Sequence, residues 1–545
     1  GADINEMAVE MCKLSLWLVS LDPKKPFSFV DDKVLHGNSL LGLTDVKQLR
    51  GLHINPSARR IDNPGFTVDV ETPLQKAADI RAKLASPIAD QAELDPQRSA
   101  KHKKALLAES KAVTDHLRTI ADGIIAAGLK VGGKPGKALE EAYENLSFAL
   151  LKASPTSAAD ADSRMLESII SSGLAPTVET DYPRWKPLHW IVEVPDVMIG
   201  HGGFDAVIGN PPFLGGSKLS PSMGENVRLW LVNQIADGRR GSADLVTYFF
   251  LRTRSLLNTN VGQLGLIATN SIAQGLSEEV GLRAMIRDGY TICRAIRSES
   301  WPARSANLEY SVVWATLASP GQAAETSADG VKGTVNSLLT VSGRVNGEPR
   351  KLRENAGLSF EGSKLTGQGF VLTEKDALEM LRADSWNAEV VFPYLNGEDL
   401  NTSPTLSPSR WVIDFFDREL PEAARYELPF ERVERLVYPE RLLNNRKATR
   451  ERWWQYAEKR PGMVAALCEL SQTVVIAKVS KTLMPCMVPT GQVLDAKLVV
   501  FASDSFGLLA VLSSGIHQQW AVHFGTTMRN DATYTPSNIF EPFPR

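Results

Sequence analysis

Apolar positions in the first part of the chain follow two periods, and each period predicts its own kind of element. Short apolar runs bounded by glycine or polar residues indicate buried strands, and they occur at residues 29–35, 204–208, 262–269, 290–296 and 310–316. Apolar residues spaced three and four apart indicate two amphipathic helices, one starting at an Asn5 cap and one over 244–257. Strands that alternate with helices predict an α/β fold.

A long stretch between two of these strands has a different composition. Residues 77–85, 96–129 and 137–152 are rich in alanine, leucine, lysine and glutamate at helical spacing, with few β-branched residues. This composition predicts a helical insertion without a visible catalytic pattern. Further along, glycine, serine and mixed charges predict a boundary before a separate domain. The predicted segments are a first part of the core at 1–65, the insertion at 66–180, the remaining core at 181–330, a linker at 331–358 and a second domain at 359–545.

Composition narrows the classes of protein that the chain can belong to. The 545 residues are 43% hydrophobic and 23% charged, which is ordinary for a globular protein of several domains. The formal net charge of −3 argues against indiscriminate nucleic-acid binding and leaves room for a local basic surface. Neither a membrane-spanning run nor a signal peptide is visible, so we expect a cytoplasmic protein without a membrane partner. The four cysteines are far apart, which predicts reduced, buried thiols and no metal site.

The residues after the strand predicted at 204–208 carry the most specific chemistry. Gly209 ends that strand, and Asn210, Pro211, Pro212 and Phe213 follow at its carboxyl end, where open α/β sheets place ligands. Two prolines fix φ and remove two N–H donors, which leaves a rigid loop whose carbonyls are free to accept. The amide oxygen of Asn210 and the Pro211 carbonyl suit a planar group carrying NH2, and Phe213 suits its face. The alternative is a rigid turn with a core phenylalanine.

This tetrapeptide, which we call the target loop, resembles that of methyltransferases that use S-adenosylmethionine on amino groups. The form with asparagine first and phenylalanine last is similar to the adenine-N6 DNA methylases. The second half of the chain also resembles the target-recognition part of large single-chain methylases of the type IIG/IIL, BREX or DISARM kind. The motif order is that of the γ-class. The segments that carry this second resemblance are Pro-Tyr-Leu-Asn-Gly at 393–397, Trp-Trp at 453–454, Lys-Val-Ser-Lys at 478–481, and Tyr-Thr-Pro with Phe-Glu-Pro-Phe-Pro near the end.

The resemblance implies a Rossmann-like class I methyltransferase domain, incomplete at its N-terminus, with a helical insertion and an α+β C-terminal target-recognition domain. It implies S-adenosylmethionine as cofactor, with Asp3 on the ribose, Ile4 on the adenine ring and Asn38 accepting from the adenine amine. The family's glycine-rich loop should precede the strand that ends at Asp3, and it would lie upstream of Gly1. We therefore expect weak cofactor binding unless another polypeptide supplies that strand and loop.

The resemblance also suggests where the nucleic acid is held. Trp301 would help to hold an extruded base, with plain packing as the alternative of equal weight. Basic side chains interleaved with aromatic rings at 438–460 suit phosphate contact and base stacking. The alternative is a solvated helix with its tryptophans turned inward. The predicted DNA contacts are Arg441, Arg446, Lys447, Arg450 and, at the exit of a later strand, Lys481.

The function expected from this reading is methylation of adenine N6 in double-stranded DNA, on a base flipped out of the stack. Other restriction or defence subunits are expected partners. Methylation of cytosine N4 is one alternative, and a DNA-recognition subunit with an inactive methylase core is another. A protein-glutamine methylase has a similar loop, but the long second domain argues against a small peptide substrate.

Overall fold

The computed structural model describes residues 1–20, 30–56, 68–85, 96–154, 161–239, 241, 243–301, 309–317, 326–341, 349–444, 446–528 and 531–545. The chain forms two compact units, Gly1–Arg344 and Val345–Arg545. Both are mixtures of helix and sheet, as the sequence pattern predicted. Among the described residues, no helix has both the length and the apolar character needed to cross a membrane.

The strands of the first unit form two sheets. A small sheet pairs β1 with β2 in parallel, and a larger sheet has the order β3-β4-β6-β5-β7-β8. In the larger sheet β3 and β4 are parallel, while β4, β6 and β5 are joined antiparallel. The strands are β1 Ala2–Asp3, β2 Leu35–His36, β3 Ala206–Gly209, β4 Gln263–Thr269, β5 Thr291–Ser300, β6 Glu309–Thr316, β7 Ser327–Ala328 and β8 Val331–Lys332.

The helices of the first unit include a long one within the predicted insertion. α4 runs for 35 residues, which is about 50 Å of helix. The helices are α1 Glu6–Ser20, α2 Val46–Arg50, α3 Glu71–Ala85, α4 Pro96–Lys130, α5 Lys137–Ala153, α6 Arg164–Leu174, α7 Trp190–Glu193, α8 Leu219–Met223, α9 Glu225–Trp230, α10 Leu245–Thr253, α11 Gly275–Val280 and α12 Leu282–Arg287. The predicted helices of the insertion are therefore confirmed, with ends shifted by a few residues.

The central strand of the larger sheet shows why this sequence forms a sheet at all. Along β4, Leu264, Leu266 and Ala268 are buried on one face, whereas the residues between them are half-buried on the other. This alternation matches the two-residue period of a strand. The buried face joins one continuous core, to which α4 contributes Ile120 and Ile124. The insertion therefore shares the core of the sheet.

The strand that leads into the target loop lies at the edge of its sheet. β3 pairs with β4 on one side, and its other side has no partner among the described residues. Ile208 on this strand is 84% exposed. The prediction of a strand here is confirmed, but the prediction that it is buried is wrong. An apolar run is buried only when both of its neighbours are present, and the described residues supply one.

Of the two strands in the small sheet, the first ends where the sequence predicted. β1 ends at Asp3, and the side-chain oxygen of Asn5 accepts from the N–H of Ala8 at 3.2 Å, so Asn5 caps α1. The second strand is shorter than predicted. Residues 31–33 form a turn, β2 spans only Leu35–His36, and residue 29 lies outside the described part of the chain.

The strands of the second unit form three sheets, ordered β10-β12-β11-β16, β15-β13-β17-β9 and β14-β19-β18. β13 and β17 are buried on both faces, because alternate residues of each strand enter two different apolar clusters. The strands are β9 Ser359–Glu361, β10 Val371–Leu372, β11 Val391–Leu395, β12 Arg410–Ile413, β13 Gln472–Ala477, β14 Val479–Ser480, β15 Cys486–Pro489, β16 Val493–Leu494, β17 Leu498–Phe501, β18 Thr526–Met528 and β19 Asp531–Thr533.

The helices of the second unit are mostly short and cover these sheets. They are α13 Glu374–Ala383, α14 Gly397–Thr402, α15 Leu420–Ala423, α16 Glu427–Leu436, α17 Tyr438–Leu442, α18 Lys447–Glu451, α19 Pro461–Leu467, α20 Phe506–Leu512 and α21 Gly515–Phe524. α13 begins at Thr373, whose hydroxyl accepts from the N–H of Asp376 at 3.2 Å. Such a cap satisfies a backbone donor that the first turn of a helix leaves free.

The four cysteines are all free thiols, as expected for a reduced protein. Their predicted burial is wrong, because Cys12 and Cys468 are exposed and the other two are partly exposed. Each lies on or next to an element that turns one side to solvent, and widely spaced cysteines carry no information about which side that is.

Candidate active site at the carboxyl ends of the parallel strands

The target loop leaves β3 at its carboxyl end and presents its polar group to solvent. Asn210 and Pro212 are exposed, Pro211 is buried, and Phe213 is half-buried against the main core. The Asn210 side chain forms no hydrogen bond with any other described residue, so its oxygen is free to accept from a ligand. Buried Pro211 fixes the loop, since its φ is held by its own ring.

The end of the target loop is held by the first turn of α10. The side-chain oxygen of Asp244 caps that helix by accepting from the N–H of Val246 at 3.1 Å, and it also accepts from the N–H of Leu214 at 3.2 Å. The Leu214 carbonyl in turn accepts from the N–H of Leu245 at 2.9 Å. Asp244 is 9% exposed. One carboxylate therefore fixes both the helix and the residue that follows Phe213.

The other end of α10 reaches the loop after β2. Arg252 is 8% exposed, and it donates from Nε to the Ser39 carbonyl at 3.2 Å and from Nη2 to the Gly42 carbonyl at 2.6 Å. Burial lowers the pKa of this guanidinium to about 10, so it stays charged at neutral pH. α10 thus joins the larger sheet to the small sheet. Asp244 at its start binds the residue after the target loop, and Arg252 near its end binds the loop after β2.

The residues expected to hold the cofactor lie at the ends of β1 and β2. Asp3 is exposed, and one of its carboxylate oxygens accepts from the N–H of Asn5 at 2.7 Å. Ile4 follows and is half-buried. Ala2 from the small sheet and Val207 from β3 pack against the same small apolar cluster, so the strand ends of both sheets lie over one support.

Asn38 is placed differently from what its expected role requires. The residue is buried, and its side-chain oxygen accepts from the N–H groups of Leu40 at 3.0 Å and Leu41 at 3.3 Å. A carbonyl-type oxygen has two lone pairs, and these two bonds occupy both. The Asn38 oxygen is therefore committed to the turn after β2, and the turn explains why a polar residue is needed there.

A cluster of polar and aromatic groups lies further along the same edge of the larger sheet. Trp301 is half-buried and meets the ring of Tyr310 edge-on, with centroids 5.3 Å apart. Near them, Glu309 accepts from the Asn270 amide at 3.0 Å and from the Ser298 hydroxyl at 2.7 Å. These residues follow β4, end β5 and start β6. Trp301 is therefore partly packed and partly available, which fits either of the roles considered for it.

The two parallel strands set the spacing between this cluster and the target loop. Gly209 pairs with Leu266, whereas Thr269 pairs with Tyr310 three residues further along β4. Three strand residues span about 10 Å. The target loop and the aromatic pair therefore lie towards the same end of the sheet. They are also separated across it, because β6 is two strands away from β3.

In the second unit the structure corrects one of the predicted DNA contacts. Arg441 is 1% exposed, and it donates from Nε to the Thr366 carbonyl at 2.8 Å and from Nη2 to the Leu365 carbonyl at 2.7 Å. Its guanidinium also lies over the ring of Phe370. A side chain that is buried and bonded in this way holds backbone in place, and it does not present its charge to a phosphate.

The other predicted DNA contacts are placed at the surface. Arg446, Lys447 and Lys481 are exposed, and Arg450 is half-buried and donates to the Asn444 carbonyl at 2.6 Å. The aromatic residues of the same segment are not exposed beside these charges. Trp453, Trp454 and Tyr456 are buried in an apolar cluster of the second unit. These rings match the alternative in which the tryptophans are turned inward. The segment therefore offers charges without aromatic surfaces on which bases could stack.

Sequence reasoning did not identify the residues that hold the site together. The helix predicted over 244–257 includes Asp244 and Arg252, but its pattern assigns a role to neither. Glu309 follows a stretch that lies outside the described residues and meets Asn270 only through strand pairing. A weak signal existed for Asp244, since aspartate before an apolar helix is a common N-cap. Within the described residues, no group of three or more histidine, cysteine or acidic side chains is placed to hold a metal.

Comparison with known proteins now bears on this arrangement. The model of the Eco57I restriction-modification methylase family matches residues 1–298, more than half of the chain. The chain belongs to this family. The matched region contains the small sheet, the insertion, the target loop and α10. Of the site residues named above in the first unit, Trp301, Glu309 and Tyr310 lie beyond it. No match was found among curated protein sequences.

Solved structures add a likeness in fold. The type IIL restriction-modification enzyme MmeI, solved in complex with DNA, aligns with a TM-score of 0.52 at 16% identity, over 75% of this chain and 54% of that one. This chain therefore spans about half the length of MmeI. The type IIG restriction endonuclease BpuSI aligns over 90% of this chain and 68% of its own at 11% identity, with a TM-score of 0.25 that carries no argument about fold.

Proposed function

We propose that the chain is the catalytic part of a site-specific DNA methyltransferase that methylates adenine N6 in double-stranded DNA. Its setting would be restriction-modification or a phage-defence system of the BREX or DISARM kind. The observation that carries the proposal is the target loop. An unbonded Asn210 amide, a rigid proline pair and a half-exposed Phe213 stand at the carboxyl end of a parallel strand, within the residues matched by a methylase family.

The chemistry assigned to the target loop is recognition of an exocyclic amine. The Asn210 oxygen and the Pro211 carbonyl would accept the two amine hydrogens of a flipped adenine, and Phe213 would lie against its face. Accepting both hydrogens would favour a tetrahedral nitrogen, whose lone pair is no longer shared with the ring and can act as the nucleophile. Asp244 would contribute by fixing the loop, so that this geometry exists before the base arrives.

S-adenosylmethionine would supply the methyl group as an electrophilic sulfonium. The residues present fit the adenosine half of this cofactor, because Asp3 retains a second carboxylate oxygen for ribose hydroxyls and Ile4 offers an apolar face beside it. Since the Asn38 oxygen is already occupied, we do not retain Asn38 as the acceptor for the adenine amine.

The open edge of β3 bears on the rest of the cofactor site. We propose a Rossmann-like arrangement in which one further strand, from outside the described residues, lies between β1 and β3. Ile208 is exposed on that edge, and Ala2 and Val207 flank it over a shared cluster. An exposed apolar strand edge is a template for pairing with another strand. Such a strand would bring the glycine-rich loop that the methionine half needs.

The second unit is proposed as the target-recognition domain. Exposed Arg446, Lys447 and Lys481, with half-buried Arg450, would contact the phosphate backbone, which gives affinity and orientation without reading the sequence. Trp301 in the first unit would help to hold the extruded base. Other restriction or defence subunits would assemble with this protein.

The deciding experiment compares methylation in cells that carry the full natural gene with cells that carry Asn210→Ala. Single-molecule sequencing should find methyladenine at one short motif in the first, and a loss of about 100-fold or more in the second, because one amine acceptor is removed. Asn260→Ala is the matched control, since Asn260 is equally exposed in the same unit but lies away from the loop. Equal methylation in all three strains would contradict the assignment.

Two outcomes would move the proposal to its alternatives. Methylcytosine at the motif, lost in Asn210→Ala, would mean cytosine N4 as the target with the same loop chemistry. Specific DNA binding without any methylation in the natural strain would favour a recognition subunit with an inactive core. The open edge of β3 keeps this second alternative open, because the described residues leave that edge unpaired.

A further inference from the structure

A pocket of about 660 Å³ lies beside the proposed site, between the start of α1, the side of α4 that carries Arg118 and Asp122, and residues 181–188. We call residues 181–188 the connector, because they lead from the insertion back to the core. Pockets that bind small molecules commonly measure about 300–1,000 Å³. The pocket begins at Ile4, immediately after Asp3, so it continues the proposed cofactor site away from the target loop.

The connector is held in place as an extra strand beside β2. The Lys186 carbonyl accepts from the N–H of Asn38 at 2.6 Å, and the N–H of Leu188 donates to the Asn38 carbonyl at 3.1 Å. Trp185 is buried, and its backbone N–H donates to the Leu174 carbonyl at 2.8 Å. The backbone of this wall is therefore fixed before any ligand arrives, which lowers the entropy cost of binding.

Four of the charged groups around the pocket are paired with one another. Arg118 binds Glu193 at 2.9 Å and Arg184 binds Asp122 at 2.8 Å. Lys186 donates to His36 Nδ1 at 3.0 Å, so that His36 Nε2 donates to the Ile4 carbonyl at 3.0 Å. The apolar faces and the carboxylates of Glu6 and Asp181, which also line the pocket, are the surface available for a ligand.

One aromatic ring on the connector also lines the pocket. Tyr182 is half-buried, its ring centroid lies 6.1 Å from that of Trp185, and its hydroxyl forms no hydrogen bond with the described residues. Burial, together with the charges of Asp3 and Asp181, raises the pKa of this hydroxyl. Ile4 and Tyr182 thus line one pocket from different elements, an apolar side chain and a flat ring.

We infer that the connector closes the adenosine end of the cofactor site, with Tyr182 lying against a purine that rests on Ile4. The inference rests on the proposed function, which puts the ribose at Asp3, and adds the wall on the far side. A ring that stacks on a purine contributes beyond the area it buries. The residues that directly follow the insertion would then complete the site.

The test measures binding of adenosine to the full chain by isothermal titration calorimetry. Adenosine is the probe because it carries the purine and the ribose that this pocket is inferred to hold and lacks the methionine half. Wild-type protein should bind it, Tyr182→Ala should raise the Kd about five- to tenfold, and Tyr182→Phe should stay within about twofold. Trp386→Ala, which removes an exposed ring in the second unit, is the control and should change nothing.

A second variant guards against a folding defect. Tyr182→Leu keeps an apolar side chain without the flat ring, and it should weaken adenosine binding while its melting curve matches wild type. The inference is overturned if wild-type protein does not bind adenosine at millimolar concentration, or if Tyr182→Ala binds as tightly as wild type. Adenosine binding together with absent DNA methylation would instead sink the proposed function and leave the pocket standing.

Discussion

The target loop at residues 210–213 and the basic and aromatic segment at 438–460 differ in what they expose. Both contain residue types suited to nucleic acid. In the first, the functional amide of Asn210 faces solvent and the buried Pro211 anchors it. In the second, Trp453 and Trp454 are buried and Arg441 binds backbone carbonyls, so its outer surface retains mainly charges such as Lys447.

The difference follows from what each pattern constrains. Two prolines after a strand determine backbone geometry, because ring closure fixes φ wherever the chain goes. Arginine and tryptophan in a row determine only composition. A tryptophan gains more by burial than by exposure, and an arginine can serve a core by donating to carbonyls. Patterns that fix the backbone therefore predict which groups are exposed better than patterns of side-chain type.

The largest effect expected from this comparison is on stability. Arg441→Ala should reduce the free energy of unfolding of the second unit by about 3 kcal/mol, because it removes the donor to the Thr366 carbonyl and opens a cavity. The Leu365 carbonyl would keep only the 3.4 Å bond from the N–H of Ala457. Chemical denaturation followed by tryptophan fluorescence would measure this. Exposed Arg446→Ala is the control and should change stability little. Equal stability of the two variants would show that Arg441 is not a structural residue.

A smaller effect is expected from a carboxyl group close to the same segment. Burial raises the pKa of Asp414 to about 6, against the lowering effect of the hydrogen bond that it accepts from the N–H of Phe416. The folded state therefore holds this proton more tightly than the unfolded state. The stability that comes from the bound proton is complete below about pH 4 and is lost as pH rises through about 6.

Asp414→Asn removes this loss, because the amide stays neutral and can still accept from Phe416. The variant should be more stable than wild type by about 2 kcal/mol at neutral pH, and the difference should vanish towards pH 4. Unfolding of both proteins across this pH range gives the difference directly. Exposed Asp417→Asn serves as the control. A difference that did not depend on pH would mean that Asp414 ionises normally in the fold.

The smallest effect concerns the charges that the segment does expose. In the Arg446→Ala, Lys447→Ala double variant, the slope of log binding constant against log salt should fall by about one to two for nonspecific duplex DNA. Folded Arg441→Ala should keep the wild-type slope. Filter binding at several salt concentrations separates them. If the double variant kept the full slope while Arg441→Ala lost some, the assignment of surface and core charges here would be reversed.

The elements of the first unit could be predicted well where their period was clear. The insertion helices, β4, β5 and β6 all formed close to their predicted bounds. The strand predicted at 29–35 shrank to Leu35–His36, because a short apolar run does not show by itself whether it has strand neighbours. For the same reason the burial predicted for β3 was wrong at Ile208. Neighbours in a sheet come from distant parts of the chain.

The candidate site, too, could be predicted from the sequence only in part. Sequence alone placed Asn210, Asp3 and Ile4 at strand ends, since each follows a strand directly. It did not reveal that α10 joins the two strand groups through Asp244 and Arg252, because both contacts cross long stretches of chain. It also gave Asn38 a role on the cofactor, whereas the turn after β2 uses its oxygen.

The sequence by itself determined the target loop, the helical insertion, and the division of residue types between the two halves of the chain. Those features depend on local backbone restriction and on period, which neighbouring residues decide. Only the tertiary structure decided which polar groups are free. Asn210 and Tyr182 are uncommitted, while Arg441 and Asn38 are occupied, because hydrogen-bond partners and burial are set by elements that meet from far apart in the chain.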